Sequence, residues 1–172
     1  MKRPVMTDPH TIEAPLLARL AELGIAVEIH RHPPLHTVAE SQALRGSLPG
    51  SHIKNLFLRD KKRTKWLVTV PEDAAVDLKA LRRVLGASGN LSFGDPALLE
   101  SSLGVAPGSV TPFAVMNDPA GEVTMVMARA VLEAEPVNAH PLHNAATAAI
   151  AAADLLRFLE AVGHPPMIID LP

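Results

Sequence analysis

A lysine inside an otherwise apolar, strand-like run is the first residue that could do chemistry. In the run SHIKNLFLRDKKRTKWLVTV, residues 51–70, Lys54 shares one strand face with Leu56 and Leu58, because the side chains of an extended chain alternate with a period of two. A lysine in that position either extends to the edge of the sheet or is held in a cleft for a purpose. The run therefore predicts a strand that carries a candidate functional cation.

A glycine- and proline-rich loop is the second candidate. The segment GVAPGSVTP joins a predicted helix that ends near Gly104 to a predicted strand that begins near Val110. Glycine lets a ligand approach the backbone closely, so the loop around Gly108 could present N–H groups to an oxyanion or a phosphate. A plain connector is the alternative, and the residues alone leave both open.

Histidines form the third group, in the segments HRHPPLH and HPLH. Two histidines on alternate strand positions, or three apart on a helix, can converge on a metal. Prolines interrupt both segments, however, and no H-E-x-x-H motif accompanies them. We therefore predict structural or pocket-lining histidines, no metal site and no cofactor. The histidines concerned are His30, His32, His36, His140 and His143.

Several reaction classes are excluded by what the chain lacks. It has no cysteine, which excludes disulfides, thiolate catalysis and cysteine-ligated zinc or iron–sulfur sites. It has no G-x-S-x-G nucleophile elbow and no P-loop G-K-[ST]. The residues by themselves therefore support only an anion-binding domain without an obvious nucleophile or general base.

The charge is distributed unevenly. Residues 54–83 hold nine lysines and arginines against four acids, which leaves seven basic and fourteen acidic residues for the rest of a chain whose net charge is −2. One positive face on an acidic body could steer a polyanion, although a solvated hairpin tip and an exposed helix face would look the same. The basic residues of the candidate face are Arg59, Lys61, Lys62, Arg63, Lys65, Lys79, Arg82 and Arg83.

The elements that must position these residues can be predicted from pattern. The 172 residues, 48% hydrophobic and 20% charged, are typical of one compact globular domain. Helices are predicted over residues 11–24, 37–44, 77–86, 95–104 and 152–161, from apolar spacing, capping residues and glycine stops. Strands are predicted over residues 25–32 and 167–171, with two hairpins that pair residues 53–60 with 65–70 and 111–118 with 122–129. The fold class is therefore a mixed α/β domain with a mainly antiparallel sheet packed by helices.

Location and membrane contact are also expectations from pattern. The first residues lack the apolar stretch of a signal peptide, and no segment reaches the roughly 18 apolar residues of a membrane helix. We expect a cytoplasmic protein with no membrane partner. Residues 1–25 are predicted to be an N-terminal helical extension of the single domain.

Four stretches resemble the YbaK/ProX family of aminoacyl-tRNA editing domains. They are HPPLHTVAES, HIKNLFLRDKKRTKWLVTV, the segment from VDLKALRRVLG to TPFAVMND, and the segment from VNAHPLHN to MIIDL. The resemblance runs from about residue 30 to the end of the chain, and it is greatest to the freestanding Ala-tRNA(Pro) deacylases. It implies a barrel-like, mainly antiparallel α/β fold and hydrolysis of the ester between a wrong amino acid and the tRNA 3′ end.

The resemblance also implies roles for individual residues. Lys54 matches the functional lysine of the family and Asn55 its neighbour, while His140 matches the histidine of an HP turn. The segment from Gly108 through Ser109, Val110 and Thr111 to Pro112 matches the G-x-x-x-P substrate loop. Ile53 and Phe57 are expected near the pocket walls, and the basic face is expected to hold the acceptor stem of tRNA(Pro). A prolyl-tRNA synthetase is a possible partner, and DNA is not expected.

Three alternatives stay open at this stage. The substrate could be another mischarged tRNA, such as one carrying cysteine or serine. The chain could be a non-catalytic tRNA- or synthetase-binding module, or a small anion or metal binder that uses the histidines and the glycine loop.

Overall fold

The computed structural model describes residues 8–35, 39–40, 43 and 48–172. His36 therefore lies outside the described residues, and so does most of the predicted helix over residues 37–44. The strands are β1 (Glu28–Arg31), β2 (Ser51–Arg59), β3 (Lys65–Pro71), β4 (Ser92–Phe93), β5 (Val123–Ala128), β6 (Val137–Ala139), β7 (Ala146–Ile150) and β8 (Met167–Ile169). The α-helices are α1 (Pro9–Glu22), α2 (Leu78–Leu85), α3 (Pro96–Leu103) and α4 (Ala152–Ala161), and two 3-10 helices, η1 (Pro112–Asn117) and η2 (Arg129–Glu133), lie between them.

The strands form one mixed sheet. Its order is β1-β7-β6-β2-β3-β5-β8, and β4 pairs with β2 outside this path. Among the described strands, four pairings are antiparallel and three are parallel, so the predicted mixed α/β class is confirmed. The predicted first hairpin is also confirmed, because Ile53 lies opposite Pro71 and Arg59 lies opposite Lys65.

The second predicted hairpin is wrong. Residues 112–117 form η1 and not a strand, and β5 pairs in parallel with β3 and β8. Pro112 stands at the start of η1, where its missing N–H costs nothing, and Thr111 caps the helix by accepting a hydrogen bond from the N–H of Phe113. The alternating apolar residues that suggested a strand fill the core instead, where Phe113 meets Phe158 edge to face with ring centroids 5.4 Å apart.

The helices α2 and α3 begin and end where their capping residues predict. Asp77 and Asp95 accept hydrogen bonds from the first N–H groups of α2 and α3, and Gly86 and Gly104 end them at positive φ. In α1, Leu16 and Leu20 are fully buried in the core. The first helix is thus packed into the domain.

The edge of β2 that faces away from β3 contains a gap. At one end of this edge, Ser51 and His52 pair with β6, and at the other end Leu58 and Arg59 pair with β4. No described strand pairs with the residues between them on this side. The gap is where a cavity opens into the sheet.

Candidate active site

A small cavity lies where β6 diverges from β2. Its volume is about 60 Å³. This is less than half of the roughly 150 Å³ that accommodates benzene in an engineered protein cavity, so only a very small group fits. Its walls combine three apolar residues with six polar ones: Leu35, Ile53, Ala139, His52, Asn55, Glu72, Asn138, His140 and Thr147.

Asn55 connects this cavity to the glycine loop. Its side-chain Nδ2 donates to the backbone oxygen of Val110 at 3.0 Å, and its Oδ1 accepts from the hydroxyl of Thr69 at 2.6 Å. Thr69 is fully buried on the neighbouring strand β3. Asn55 therefore fixes the loop to the middle of the sheet.

His140 lies in the turn between β6 and β7 and lines the same cavity. Its Nδ1 lies 3.2 Å from the carbonyl oxygen of Ala146, which can only accept, so this nitrogen carries the proton. Burial lowers the pKa of His140 below its usual range, and the nearby His32 and His143 act in the same direction. The ring is therefore neutral at pH 7 and its Nε2 has a free lone pair.

The segment 108–112 forms a loop with two available amides. Gly108 has φ +86, which favours glycine, and the N–H of Ser109 is already used by the carbonyl oxygen of Ala106. The N–H groups of Gly108 and Val110 make no hydrogen bond within the described part of the chain. Thr111 is fully buried and serves as a helix cap, so the exposed part of the loop is its glycine end.

Lys54 is held near this site but does not line the cavity. It lies opposite Val70 in the sheet, and alternation puts its side chain on the other face of β2 from Asn55. Its ammonium donates to the carbonyl oxygen of Ala74 at 2.6 Å, and the residue is half-buried. The cation is therefore fixed beside the segment that leads into α2.

The other residues predicted to bind the substrate lie in different parts of the structure. Ile53 lines the cavity, whereas Phe57 is buried against Gly94, where an added Cβ would lie only 2.4 Å from the ring. Ser109 lines a second and larger cavity of about 850 Å³ with largely apolar walls. That cavity lies between α3, the turn after β6 and the start of α1, and includes Pro34, Pro96, Val105, Leu142 and Asn144.

Four polar wall residues were missed by the sequence reasoning. Asn138 lies two positions before His140, so a period-two scan from His140 would have found it. His52 lies two positions before Lys54, which does not line the cavity, so no such scan would have placed His52 there. Glu72 lies just past β3, and Thr147 lies in an alanine-rich strand. Neither of these two has a local sequence signal, because only the sheet pairing brings them to the cavity.

The basic residues fall into an exposed group and a paired group. Lys65 contacts Ser102 and Glu122, and Arg82 donates to Asn90. The side chains of Lys61, Lys62, Arg63, Lys79 and Arg83 are exposed, and Arg59 at the end of β2 is half-buried.

One buried carboxylate joins the two parts of this surface. Asp60 accepts from the N–H groups of Lys62 and Thr64 in the hairpin turn and from the N–H of Ser88 after α2. The basic hairpin and the basic helix are thereby held side by side.

His143 and His32 have protein partners. His143 lies 2.8 Å from the buried carboxylate of Glu13, which also binds Arg31 at 2.8 Å. His32 is in hydrogen-bond contact with Thr147. Within residues 8–35, 39–40, 43 and 48–172, no three histidine or acidic side chains are grouped so that they could hold a metal ion. None of the helices in this part of the chain is both long and apolar enough to cross a membrane.

Proteins of similar structure and sequence identify the fold and the family of the chain. A solved structure named as a candidate trans-editing enzyme for prolyl-tRNA synthetase superposes with a TM-score of 0.72 at 20% identity, covering 98% of both chains. A Bos taurus prolyl-tRNA synthetase associated domain-containing protein is 42% identical over 163 residues, which cover 92% of this chain and 95% of the relative. The prolyl-tRNA editing protein ProX of Acetoanaerobium sticklandii is 34% identical over 157 residues, which cover 91% and 95% of the two chains. Residues 32–158 match the sequence profile of the aminoacyl-tRNA editing domain, and the chain belongs to this family.

Proposed function

We propose that the protein is a trans-editing hydrolase that removes alanine from mischarged Ala-tRNA(Pro). Family membership and a relative named as a prolyl-tRNA editing protein support the reaction class. The observation that carries the proposal is the small cavity in which Asn55 and a neutral His140 meet, beside a glycine loop whose Gly108 and Val110 amides have no hydrogen-bond partner among the described residues.

The reaction is the hydrolysis of an activated ester. A water oxygen attacks the acyl carbon, the tetrahedral intermediate forms, and the bond to the ribose oxygen breaks to give free alanine and a tRNA hydroxyl. The lone pair on His140 Nε2 orients this water and accepts its proton, and the proton then passes to the departing ribose oxygen. The chain needs no nucleophile of its own for this sequence.

The loop supplies electrostatic stabilisation. The N–H groups of Gly108 and Val110 are the donors for the developing oxyanion, and each such donor typically contributes about 3–4 kcal/mol to transition-state binding. Asn55 holds the Val110 peptide in place from the sheet side. Lys54 adds a positive charge near the segment into α2, where it meets the 3′-terminal nucleotide.

Selection for alanine follows from size. A pocket that accepts proline cannot strongly reject the smaller alanine, which lacks two ring methylenes, because each missing methylene changes binding by only about 1–3 kcal/mol. A second, hydrolytic site with a pocket too small for proline admits and hydrolyses only the ester of the smaller amino acid. The cavity of about 60 Å³ walled by Leu35, Ile53 and Ala139 matches such a pocket.

The exposed basic surface fits the acceptor arm of the tRNA. Arg59 lies four residues along β2 from Asn55, which is about 14 Å at 3.4 Å per residue. At that distance the lysines of the hairpin can contact backbone phosphates near the esterified end. Phosphate contacts position the substrate and do not select its sequence.

The test is a panel of tRNA(Pro) charged with alanine, cysteine, serine or proline. We expect rapid release of alanine alone, and we expect Lys54→Ala and His140→Ala to lose most of this activity. Arg129→Ala is the control, because Arg129 pairs with Asp170 on the exposed surface away from the cavity. Release of cysteine or serine in preference to alanine would transfer the activity to another mischarged tRNA. Binding of tRNA without any release would favour a non-catalytic binding module and overturn the proposal.

A further inference from the structure

Phe93 is the one aromatic residue of the chain that faces solvent. The sequence has four phenylalanines, one tryptophan and no tyrosine, and all five aromatic residues lie within the described ranges. Four of them are buried in the core: Phe57, Trp66, Phe113 and Phe158. Phe93, in the two-residue strand β4, is 61% exposed. A single exposed apolar side chain is common on protein surfaces, so the neighbours of this ring decide what it can do.

The surroundings of Phe93 are basic. Three cationic residues contact the segment 88–92, which leads into Phe93. The N–H of Lys61 donates to the first carbonyl oxygen of this segment at 3.0 Å, the guanidinium of Arg82 donates to its asparagine side chain at 3.0 Å, and Arg59 pairs with its last residue across the strands. The exposed ring is therefore the apolar part of a positively charged surface.

The ring also lies on the same face of the sheet as Lys54. Phe93 is directly opposite Leu58, and residues that are directly opposite project to the same side of a sheet. Alternation puts Leu58 on the side of Leu56 and Lys54. Lys54 lies four residues from Leu58 along β2, which is about 14 Å at 3.4 Å per residue. The ring and the lysine assigned to the 3′-terminal nucleotide thus share one face.

An aromatic ring among cations matches the chemistry of an unpaired nucleic-acid strand. Each nucleotide of such a strand has a base with a flat π face and a phosphate with a negative charge. Proteins hold unpaired strands by stacking the bases on aromatic side chains and placing basic residues along the phosphates. The esterified end of a tRNA is a short unpaired strand that leads from the acceptor stem to the ester.

We propose that Phe93 stacks on a base of the unpaired 3′ strand of the tRNA, while Arg59, Lys61 and Arg82 contact its phosphates. This inference rests on the proposed function and names a binding residue for the same substrate. Because every base has a π face, the contact adds affinity without selecting a sequence. Phe93 therefore holds the end of any tRNA with the same 3′ strand equally well.

The decisive measurement compares uncharged tRNA(Pro) with the same tRNA trimmed of its unpaired 3′ nucleotides. We expect Phe93→Ala to raise the Kd of the full-length tRNA by about 5- to 150-fold, the range for loss of a base–aromatic stack, and to leave the Kd of the trimmed tRNA nearly unchanged. Phe93→Trp should bind as tightly as the unsubstituted chain, and Phe93→Leu, apolar but without a π face, should behave like Phe93→Ala. Equal losses for both RNAs would overturn the inference.

The salt dependence separates stacking from charge. Stacking releases no counterions, so Phe93→Ala should keep the slope of log affinity against log salt of the unsubstituted chain. Lys61→Gln should reduce that slope by about 0.7–0.9 for one lost phosphate contact. An equal reduction in Phe93→Ala would assign its loss to a displaced basic surface and refute the stack.

Met167→Ala is the matched control. Met167 is 41% exposed and lies on β8, which β3 and β5 separate from β2. We expect this variant to bind both RNAs normally, and both Met167→Ala and Phe93→Ala should unfold close to the normal temperature, because both side chains are largely exposed. If Phe93→Ala weakened binding to prolyl-tRNA synthetase and left tRNA affinity unchanged, a protein partner would cover the ring and the inference would be wrong.

Fluorescence reports the stack directly. Phe93→Trp adds an exposed indole, whereas the native Trp66 is only 5% exposed and gives a background that the unsubstituted chain measures. The full-length tRNA should quench the added emission and the trimmed tRNA should not; equal quenching by both would contradict the stack. Because these RNAs are uncharged, stacking without ester cleavage would support the inference and refute the deacylase. Normal cleavage together with unchanged tRNA affinity in Phe93→Ala would refute the inference and leave the deacylase intact.

Discussion

Replacing Asn55 by alanine tests the connection between the sheet and the glycine loop. The substitution removes the hydrogen bond to the carbonyl oxygen of Val110 and the one from the hydroxyl of Thr69. Thr69 is fully buried, so its hydroxyl is left without a partner, whereas the half-exposed Val110 peptide can recruit water. At roughly 1–3 kcal/mol for the buried group and about 1 kcal/mol for the other, we expect a loss of about 2–4 kcal/mol in the free energy of unfolding.

The effect on catalysis should exceed the effect on stability. The loop carries the two amides assigned to the oxyanion, and a displacement of about 1 Å at a catalytic group can cost about 100-fold in rate. Urea denaturation gives the free energy of unfolding, and single-turnover deacylation of Ala-tRNA(Pro) gives the rate. The double variant Asn55→Ala with Thr69→Val removes both partners of the buried bond, so its loss of stability should be less than the sum of the single losses.

Asn117→Ala is the matched control. Asn117 also donates from its side chain to a backbone oxygen, that of Leu103, but it is exposed and lines neither cavity. We expect it to cost about 1 kcal/mol and to leave deacylation unchanged. If Asn55→Ala costs no more than this control and deacylates at the normal rate, the reasoning about the loop is wrong.

Three further predictions concern the loop, the basic surface and acid stability. Gly108→Ala should cost about 1–2 kcal/mol of stability from positive φ and also slow deacylation, whereas Gly24→Ala, at φ +68 away from the site, should show only the stability cost in thermal denaturation. Replacing Lys61, Lys62 and Arg63 together by glutamine should weaken tRNA binding and reduce the slope of log affinity against log salt by about 2–3, while unchanged slope would remove the hairpin from the interface. Burial alone would raise the pKa of Asp118, but hydrogen bonds from His164 and from the N–H groups of Val123 and Glu122 outweigh it and lower that pKa below its usual range. The ionised carboxylate therefore contributes stability above its ordinary pKa that is lost as the pH falls through the lowered value, and Asp118→Asn should flatten stability measured below about pH 4.

The local elements could be predicted because their signals are local. Asp77, Asp95 and the glycines that follow α2 and α3 set the helix ends, and the charged turn after Arg59 set the β2–β3 hairpin. The segment 111–118 was mispredicted because an alternating apolar pattern fits a buried 3-10 helix as well as a strand, and only packing against α4 distinguishes them. The short strands β4 and β6 are too short to produce a periodic pattern.

The sequence by itself determined the helix caps, the first hairpin, the absence of thiol chemistry and the identities of Asn55, Gly108 and His140 as residues of interest. Only the tertiary structure decided that Asn55 and not Lys54 faces the small cavity, because adjacent residues of a strand point to opposite faces and the sequence does not say which face is the site. It also brought Glu72, Asn138 and Thr147 to that cavity from three different strands or strand ends. These residues come together because β2 pairs in parallel with β6, which is more than 80 residues away in the chain. The pairing is made by backbone hydrogen bonds, so the side chains that it brings together carry no sequence pattern that reveals it.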